Sequence, residues 1–481
     1  MSLGRRAVRQ TLWVAGGTYL KTSINFLANI LLMRLIAPDQ FGILAMAMFF
    51  LTLARKLVGF GFNHALVHQQ DDLHRHVPTH LWLNAGLGVF VAVAAAFARP
   101  LVASQYDAAT ADALLLLAVF GLLESIGHTP RLLLEKELKF DRLIRLDLVN
   151  TVASNLVGIA CALSGWGWTA LAAKQITAWA IQTAGTWRLH PTLPGWRPCL
   201  RSARWYWAFG LPMWSAGIAT FISLQFDDFL VGSFSGNEAL GYYGRAYALA
   251  SFPTVMVTHI VGRVAFPLYA RVQHDRDALS NAFARVVRVI ITLTAPGVLW
   301  LAVCAPELVS VVFGPDWTGM IAILQLLVIY AFLRPVYDNC GELFTAVGQP
   351  KVASRILIAQ AVAVLIACPP MTWAFGASGA AIAVGGALAV GVVRAYQIVP
   401  RYVNFSAIRA FGPATVAALA GVASAFAGAR LLGDAGPIAV IAAKTLAFVA
   451  VYAAVLFAIE GRQLREDWRE FRMSMSGGES D

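Results

Sequence analysis

The feature that most constrains this chain is a succession of apolar runs, each long enough to cross a bilayer, separated by short polar breaks. A helix needs about 20 mostly apolar residues to span the hydrocarbon core. Of the 481 residues, 58% are hydrophobic and 13% are charged, whereas soluble domains have about 45–50% apolar residues. The breaks leave no room for a soluble domain. The sequence therefore predicts an all-α, polytopic membrane protein.

Counting the runs predicts about fourteen membrane-spanning segments. They cover residues 11–36, 42–63, 80–103, 112–132, 144–164, 167–187, 206–231, 243–268, 286–306, 320–345, 354–374, 377–399, 409–429 and 437–459. Basic residues, Arg131 among them, concentrate in the even-numbered connections and at both termini, while the odd-numbered connections hold mainly acidic residues. Because cytoplasmic loops are enriched in lysine and arginine, both termini are predicted to be cytoplasmic.

A short stretch recurs within the chain. Aligning Gly42 with Gly241 superposes APDQFGILAMA (37–47) on GNEALGYYGRA (236–246). The two copies have the same predicted orientation, which favours a parallel repeat of six spans with two added helices. Parallel halves are a transporter architecture, with the substrate site where the halves face one another. The predicted organisation is an N-terminal lobe, a C-terminal lobe, helices thirteen and fourteen, and a cytoplasmic tail, at 1–190, 191–400, 401–459 and 460–481.

Basic residues inside the spans are the candidate site. An ionisable residue at the centre of a span costs about 2.5–3.5 kcal/mol, so it normally faces a cavity or a partner. The repeat-related spans 1, 2, 7 and 8 contain Lys21, Arg34, Arg55, Lys56, Arg245 and Arg263. This clustering predicts a cationic central cavity that attracts an anion. For Arg34, Arg263 and the isolated Lys444, anchoring to lipid phosphate is an equal alternative.

Acidic residues inside spans suggest two further roles. Asp227 and Asp228 are interpreted either as a proton-coupling site or as ion-pair partners of Arg245. Arg334 and Asp338 share one helical face with Glu342, which favours a structural network over a coupling site.

Other kinds of site are not predicted. Histidines gather at the first cytoplasmic connection (His64, His68, His74, His76 and His80), but without cysteine or a fixed carboxylate spacing they favour a solvated loop over a metal site. No catalytic motif or cofactor motif is present, and no basic run with interleaved aromatics indicates nucleic acid. We therefore expect no catalytic residue, metal, cofactor or nucleic-acid partner.

Three longer stretches carry a family resemblance. They are RLIAPDQFGILAMA (34–47), LGYYGRAYALASFPTVMVTHIVGRVAFPLYARV (240–272), and VFGPDWTGMIAILQLLVIYAFLRP with ELFTAVGQPK (312–351). With these the chain resembles the Wzx-type oligosaccharide flippases of the polysaccharide transporter family, in the MATE/MOP superfamily, and less closely the lipid II flippase. The resemblance implies two six-helix lobes in a V shape, in the bacterial inner membrane. It also implies alternating access that moves a polyprenyl-diphosphate-linked oligosaccharide to the periplasmic leaflet.

The resemblance also implies roles for individual residues. LARKLVGFG (53–61) occupies the place of a basic pair in the lipid II flippase, so Arg55 and Lys56 are expected to bind the substrate diphosphate. Arg245 corresponds approximately to another basic residue there, and Lys21 corresponds only by region. The expected diphosphate-binding set is Lys21, Arg55, Lys56, Arg245 and Arg263.

The resemblance leaves the energy source and the competing functions open. The first-span acid of many multidrug members is replaced here by Asn25 and Asn29, and Asp227 and Asp228 are substitutes by position only. A multidrug exporter and a scaffold for glycosyltransferases are the alternatives. Expected partners are an undecaprenyl-diphosphate-linked oligosaccharide, membrane lipids, and a polysaccharide polymerase with glycosyltransferases, around a monomeric flippase.

Overall fold

The computed structural model describes residues 3–59, 62–68, 73–191, 198–431 and 436–476, and these ranges contain helices and no β-strand. The α-helices are α1 (Leu3–Leu35), α2 (Pro38–Val58), α3 (Phe62–His68), α4 (Leu73–Gln105), α5 (Ala108–Lys136), α6 (Phe140–Leu163), α7 (Trp168–Leu189), α8 (Leu200–Val272), α9 (Arg276–Leu308), α10 (Met320–Ala346), α11 (Pro350–Ile398), α12 (Ala407–Leu431) and α13 (Pro437–Ser476). A π-helical turn (Val309–Phe313) follows α9, and 3-10 turns cover Pro315–Trp317 and Val399–Arg401. The all-α prediction is confirmed.

Each predicted membrane-spanning run overlaps one of these helices. α8 and α11 each contain two of the runs, and a glycine with positive φ interrupts each helix between them. These glycines are Gly236 (φ 83°, ψ 177°) and Gly376 (φ 59°, ψ −142°). Within the described ranges, nine helices are long and apolar enough to cross a membrane. The chain is therefore a polytopic membrane protein, and the count of fourteen spans stays a prediction.

The chain packs as two compact units, Met1–Gly244 (unit 1) and Arg245–Asp481 (unit 2), so the boundary between them lies within α8. Each unit has its own apolar core. Helices α2, α4, α5 and α7 build the core of unit 1, and α8 to α13 build that of unit 2. The lobes expected from the repeat, 1–190 and 191–400, stay a prediction.

The two copies of the repeated stretch pack against each other in unit 1. Gly42 lies against the backbone of Asn237, and Gly241 lies against the backbone of Pro38. Pro38 and Asn237 are equivalent in the alignment of the copies, so the contact is symmetric. A Cβ atom would lie 2.5 Å from the carbonyl carbon of Asn237 if added at Gly42, and 2.7 Å from that of Pro38 if added at Gly241. Small residues allow membrane helices to approach this closely. Gly42 and Gly241 therefore allow α2 and α8 to cross at this short distance.

Two ion pairs of unit 2 account for basic residues inside its spans. The ammonium of Lys444 lies 2.7 Å from a carboxylate oxygen of Glu307 and donates to the carbonyl of Val303 at 3.0 Å. Lys444 is only 5% exposed and its partner is a carboxylate on α9, which contradicts lipid anchoring, one of the two alternatives left open for it. Arg334 pairs with Asp338 at 3.0 Å, as the structural interpretation expects.

Candidate functional site

Arg55 of α2 contacts two other helices of unit 1, α5 and α7. It lies in the last turn of α2, where a positive charge is favourable because the helix C-terminus carries partial negative charge. Its guanidinium pairs with Glu124 of α5, and its Nη2 donates to the carbonyl of Gly121 at 3.0 Å. The guanidinium carbon also lies 5.3 Å from the ring centroid of Trp179, within cation–π range. The Arg55 side chain stays 28% exposed, so it remains accessible to a ligand.

Lys21 belongs to a second ion-pair group built around Asp147 of α6. The Lys21 ammonium lies 3.5 Å from one carboxylate oxygen of Asp147, and Nη1 of Arg131 lies 2.9 Å from the other. Arg131 also pairs with Glu135 on its own helix at 3.1 Å. Asp147 is 13% exposed, whereas Lys21 and Arg131 are 35% and 29% exposed. A single carboxylate therefore connects α1, α5 and α6.

Two polar cavities adjoin these ion pairs. The larger, of about 410 Å³, is lined by residues of α1, α5, α6 and α7, including Lys21 and Asp147. The smaller, of about 140 Å³, has Arg55 in its wall. Glu124 and His128 line both cavities. Lys21 and Arg55, which the sequence nominates independently, thus border one polar region inside unit 1.

Helix α5 supplies three side chains to which sequence reasoning gave no role in the site. Glu124, His128 and Arg131 are spaced four and three residues apart, so they lie on one face of the helix. The charge count assigns Arg131 to a connection, but α5 continues to Lys136 and places it in the cavity wall. The spacing of these three residues is the signal that could have found this face.

The other nominated bases are placed differently. The side chain of Lys56 is exposed, and its carbonyl accepts a hydrogen bond from the indole of Trp214 at 2.9 Å. Arg245 is half-buried and is the first residue of unit 2. The side chain of Arg263 lies outside the described residues. The structure thus joins Lys21 and Arg55 in one region of unit 1.

The nominated acids lie on α8. Asp227 is 3% exposed, and one of its carboxylate oxygens accepts a hydrogen bond from the hydroxyl of Tyr243 at 2.5 Å. Its other oxygen has no hydrogen-bond partner among the described residues. Asp228 beside it is half-buried. The alternatives raised for Asp227, proton coupling or pairing with Arg245, stay predictions.

The histidine cluster is described in part. His80 is fully buried, and its ring nitrogens contact the hydroxyl of Thr129 at 2.9 Å and the amide oxygen of Asn63 at 3.2 Å. His80 is therefore a hydrogen-bonded core residue, not part of a solvated loop. The side chains of His64, His68 and His74 lie outside the described residues.

We expect Asp147→Asn to destabilise the protein by about 1–3 kcal/mol, because Lys21 and Arg131 lose the negative charge that they share. The matched control is Asp112→Asn, whose partner Arg99 lies 2.7 Å away with both side chains nearly half exposed. An exposed pair contributes about 0–1 kcal/mol. Thermal unfolding of the purified variants in detergent measures both effects. Equal melting temperatures for the two variants would contradict the central place given to Asp147.

Comparison with known proteins identifies the family of this chain. A family profile described as "Polysaccharide biosynthesis protein" matches residues 31–322, more than half of the chain. The chain belongs to this family. The matched range contains Arg55, Glu124 and Asp147, whereas Lys21 precedes it.

Curated relatives and a solved structure extend the match. The lipopolysaccharide biosynthesis protein WzxC of Escherichia coli (strain K12) is 27% identical over 355 residues, covering 72% of this chain and 71% of that protein. The succinoglycan biosynthesis transport protein ExoT of Rhizobium meliloti (strain 1021) is 25% identical over 344 residues, covering 71% and 69%. The lipid II flippase MurJ, in an inward closed conformation, superposes with a TM-score of 0.71 at 12% identity, covering 94% of this chain and all of that one. The fold is therefore that of MurJ.

Proposed function

We propose that this member of the polysaccharide biosynthesis family is a flippase of the bacterial inner membrane. It moves an undecaprenyl-diphosphate-linked oligosaccharide to the periplasmic leaflet for cell-surface polysaccharide synthesis. The transport function of relatives such as ExoT and the fold of MurJ support this class. The observation that carries the proposal is the polar region of unit 1, where Lys21 and Arg55 border adjoining cavities among membrane-length helices.

Arg55 has the chemistry that a diphosphate needs. A guanidinium is always charged and presents planar pairs of N–H donors that match phosphate oxygens. In the structure the carboxylate of Glu124 already accepts a hydrogen bond from one of these N–H groups. A phosphate oxygen would take the place of the Glu124 carboxylate, so Glu124 keeps Arg55 oriented until the substrate arrives. Lys21, held by Asp147, would add a second positive charge beside it.

The remaining nominated residues complete the proposal. Lys56, Arg245 and Arg263 would extend the basic path for the diphosphate during alternating access, with both termini in the cytoplasm. Asp227 and Asp228 are proposed for ion coupling. Support for Asp227 comes from its burial and from the carboxylate oxygen that lacks a hydrogen-bond partner among the described residues.

Deletion of the gene is expected to make the lipid-linked oligosaccharide accumulate, as measured by mass spectrometry of extracted lipids. Wild-type protein should clear the accumulated lipid, and Arg55→Gln should reduce clearance at least about tenfold, because one charge-assisted contact contributes about 1.5–3 kcal/mol. The matched control is Arg99→Gln, which removes a guanidinium paired with Asp112 away from both cavities.

Two results would contradict the proposal. Full clearance by Arg55→Gln would remove Arg55 from the substrate site. An unchanged lipid pool in the deletion strain, with altered resistance to cationic drugs, would favour a multidrug exporter instead. Equal expression of both arginine variants in the membrane fraction separates a loss of transport from a loss of protein.

A further inference from the structure

His128 of α5 is a titratable residue of unit 1 to which the diphosphate site gives no role. Its half-buried side chain lines both the larger and the smaller cavity, and it forms no hydrogen bond with another described residue. Histidine is the side chain whose charge changes between about pH 5 and 8. A histidine at this position can therefore change the charge of both cavities by taking up a proton.

Charged groups of both signs surround His128. They are Glu124, Arg131 and Glu135 of α5, Arg55 of α2 and His80 of α4, and around the larger cavity Lys21 of α1, Asp147 of α6 and Lys174 of α7. The described side chains of α3 include no titratable group. Each of the three carboxylates pairs with at least one of the bases. The region therefore carries little net charge, and a single added proton changes its electrostatic potential appreciably.

Binding of a diphosphate at Arg55 would leave Glu124 without its base. The displaced carboxylate would then lie close to the negative charge of the ligand. Arg131 lies seven residues further along α5, about 10 Å along the helix axis, and already pairs with Glu135 and Asp147. His128 lies only four residues from Glu124, a spacing at which side chains on a helix are neighbours. A protonated His128 is therefore the base of α5 that is best placed to pair with the displaced carboxylate.

We propose that His128 takes up a proton when a diphosphate displaces Glu124 from Arg55, and that it then pairs with the Glu124 carboxylate. The proton comes from water and adds to the acceptor nitrogen of the neutral imidazole. When the ligand leaves, Glu124 returns to Arg55 and the proton returns to water. His128 is thus a positioning residue that acts through Glu124. This inference rests on the proposed function, since it uses Arg55 as the diphosphate site.

The test measures binding of undecaprenyl diphosphate carrying one hexose to the full chain in lipid nanodiscs. Both phosphates of this probe are esterified, so the probe itself does not titrate near neutral pH. Proton uptake and ligand binding favour each other by the same free energy. Wild-type protein is therefore expected to bind about fivefold or more tightly at about pH 6 than at about pH 8. Calorimetry at neutral pH in PIPES and in Tris, which differ in ionisation enthalpy, should show uptake of about half a proton or more per lipid bound.

Three variants separate the parts of this linkage. His128→Gln cannot take up a proton, so its affinities at the two pH values should agree within about twofold. Glu124→Gln should lose the same pH dependence although its histidine is intact, because no carboxylate is displaced. His190→Gln is the matched control: it removes a histidine 3.2 Å from the Glu137 carboxylate, outside both cavities, and should keep the wild-type pH dependence.

The outcomes distinguish this inference from the proposed function. Equal binding by wild-type protein at both pH values, or an undiminished pH dependence in His128→Gln, would overturn proton uptake at His128 while the diphosphate site stands. Proton uptake retained in Glu124→Gln would overturn the role of Glu124, because His128 would then contact the phosphate directly. Failure of wild-type protein to bind the probe at either pH would overturn the proposed function as well.

Discussion

Gly241→Ala is expected to leave little folded protein in the membrane. The added Cβ atom would overlap the carbonyl group of Pro38, with its carbonyl carbon only 2.7 Å away. Backbone atoms cannot rotate aside as a flexible side chain can, so the helices must separate. Overpacking of a well-packed core commonly costs about 1–3 kcal/mol and sometimes more. We place this substitution at or above the upper end, because the obstacle is main chain.

Fluorescence-detected size-exclusion chromatography of detergent extracts measures the folded fraction. Gly42→Ala should behave like Gly241→Ala, since its Cβ atom would meet Asn237 in the same way. Gly244→Ala is the matched control, because it lies one turn further along α8 and a Cβ atom there has no neighbour within 4 Å. Wild-type stability in Gly241→Ala would mean that the close crossing of α2 and α8 is not a feature of the folded protein.

Lys444→Met is expected to destabilise the protein by about 3–5 kcal/mol, because it leaves the Glu307 carboxylate partly buried without its base. The ammonium and carboxylate lie 2.7 Å apart, and the two side chains are 6% and 21% exposed. Replacing both partners, as in Lys444→Met with Glu307→Leu, should recover most of the lost stability, since well-packed apolar residues often substitute for a buried pair.

A double-mutant cycle of thermal unfolding measures the coupling between Lys444 and Glu307. A strong coupling energy supports the buried pair. Additive effects of the two single substitutions would instead return Lys444 to the role of an independent lipid anchor. Arg99→Gln with Asp112→Leu gives the exposed comparison, for which we expect a coupling of about 1 kcal/mol or less.

The apolar runs predict the helices well because helix length in a membrane is set by bilayer thickness. Breaks within α8 and α11 also fall where the sequence places them, since each needs only one glycine with positive φ. The repeat predicts which segments are equivalent. It does not predict that the equivalent glycines meet backbone to backbone, because that depends on how the helices cross.

The sequence nominates the site residues from their positions within the predicted spans, but it predicts their ion-pair partners less well. Lys21 and Arg55 are nominated because the predicted spans 11–36 and 42–63 place both well inside the membrane. The structure ends α2 at Val58, so Arg55 lies in its last turn, and both residues border the polar region of unit 1. Their partners are 126 and 69 positions away along the chain. Hydropathy does not reveal which helices are neighbours. The same limit explains why neither alternative for Lys444 included Glu307, which lies 137 positions away.

Sharing of Asp147 has a thermodynamic consequence for unit 1. Lys21 of α1 and Arg131 of α5 draw on the same carboxylate. An anion that attracts Lys21 weakens the attachment of α1 to α6 and leaves the carboxylate to Arg131. Binding of an anion in the cavity and attachment of α1 to α6 are then thermodynamically coupled, and each changes the free energy of the other by the same amount. A labelled cysteine on α1 would therefore report when the cavity is occupied.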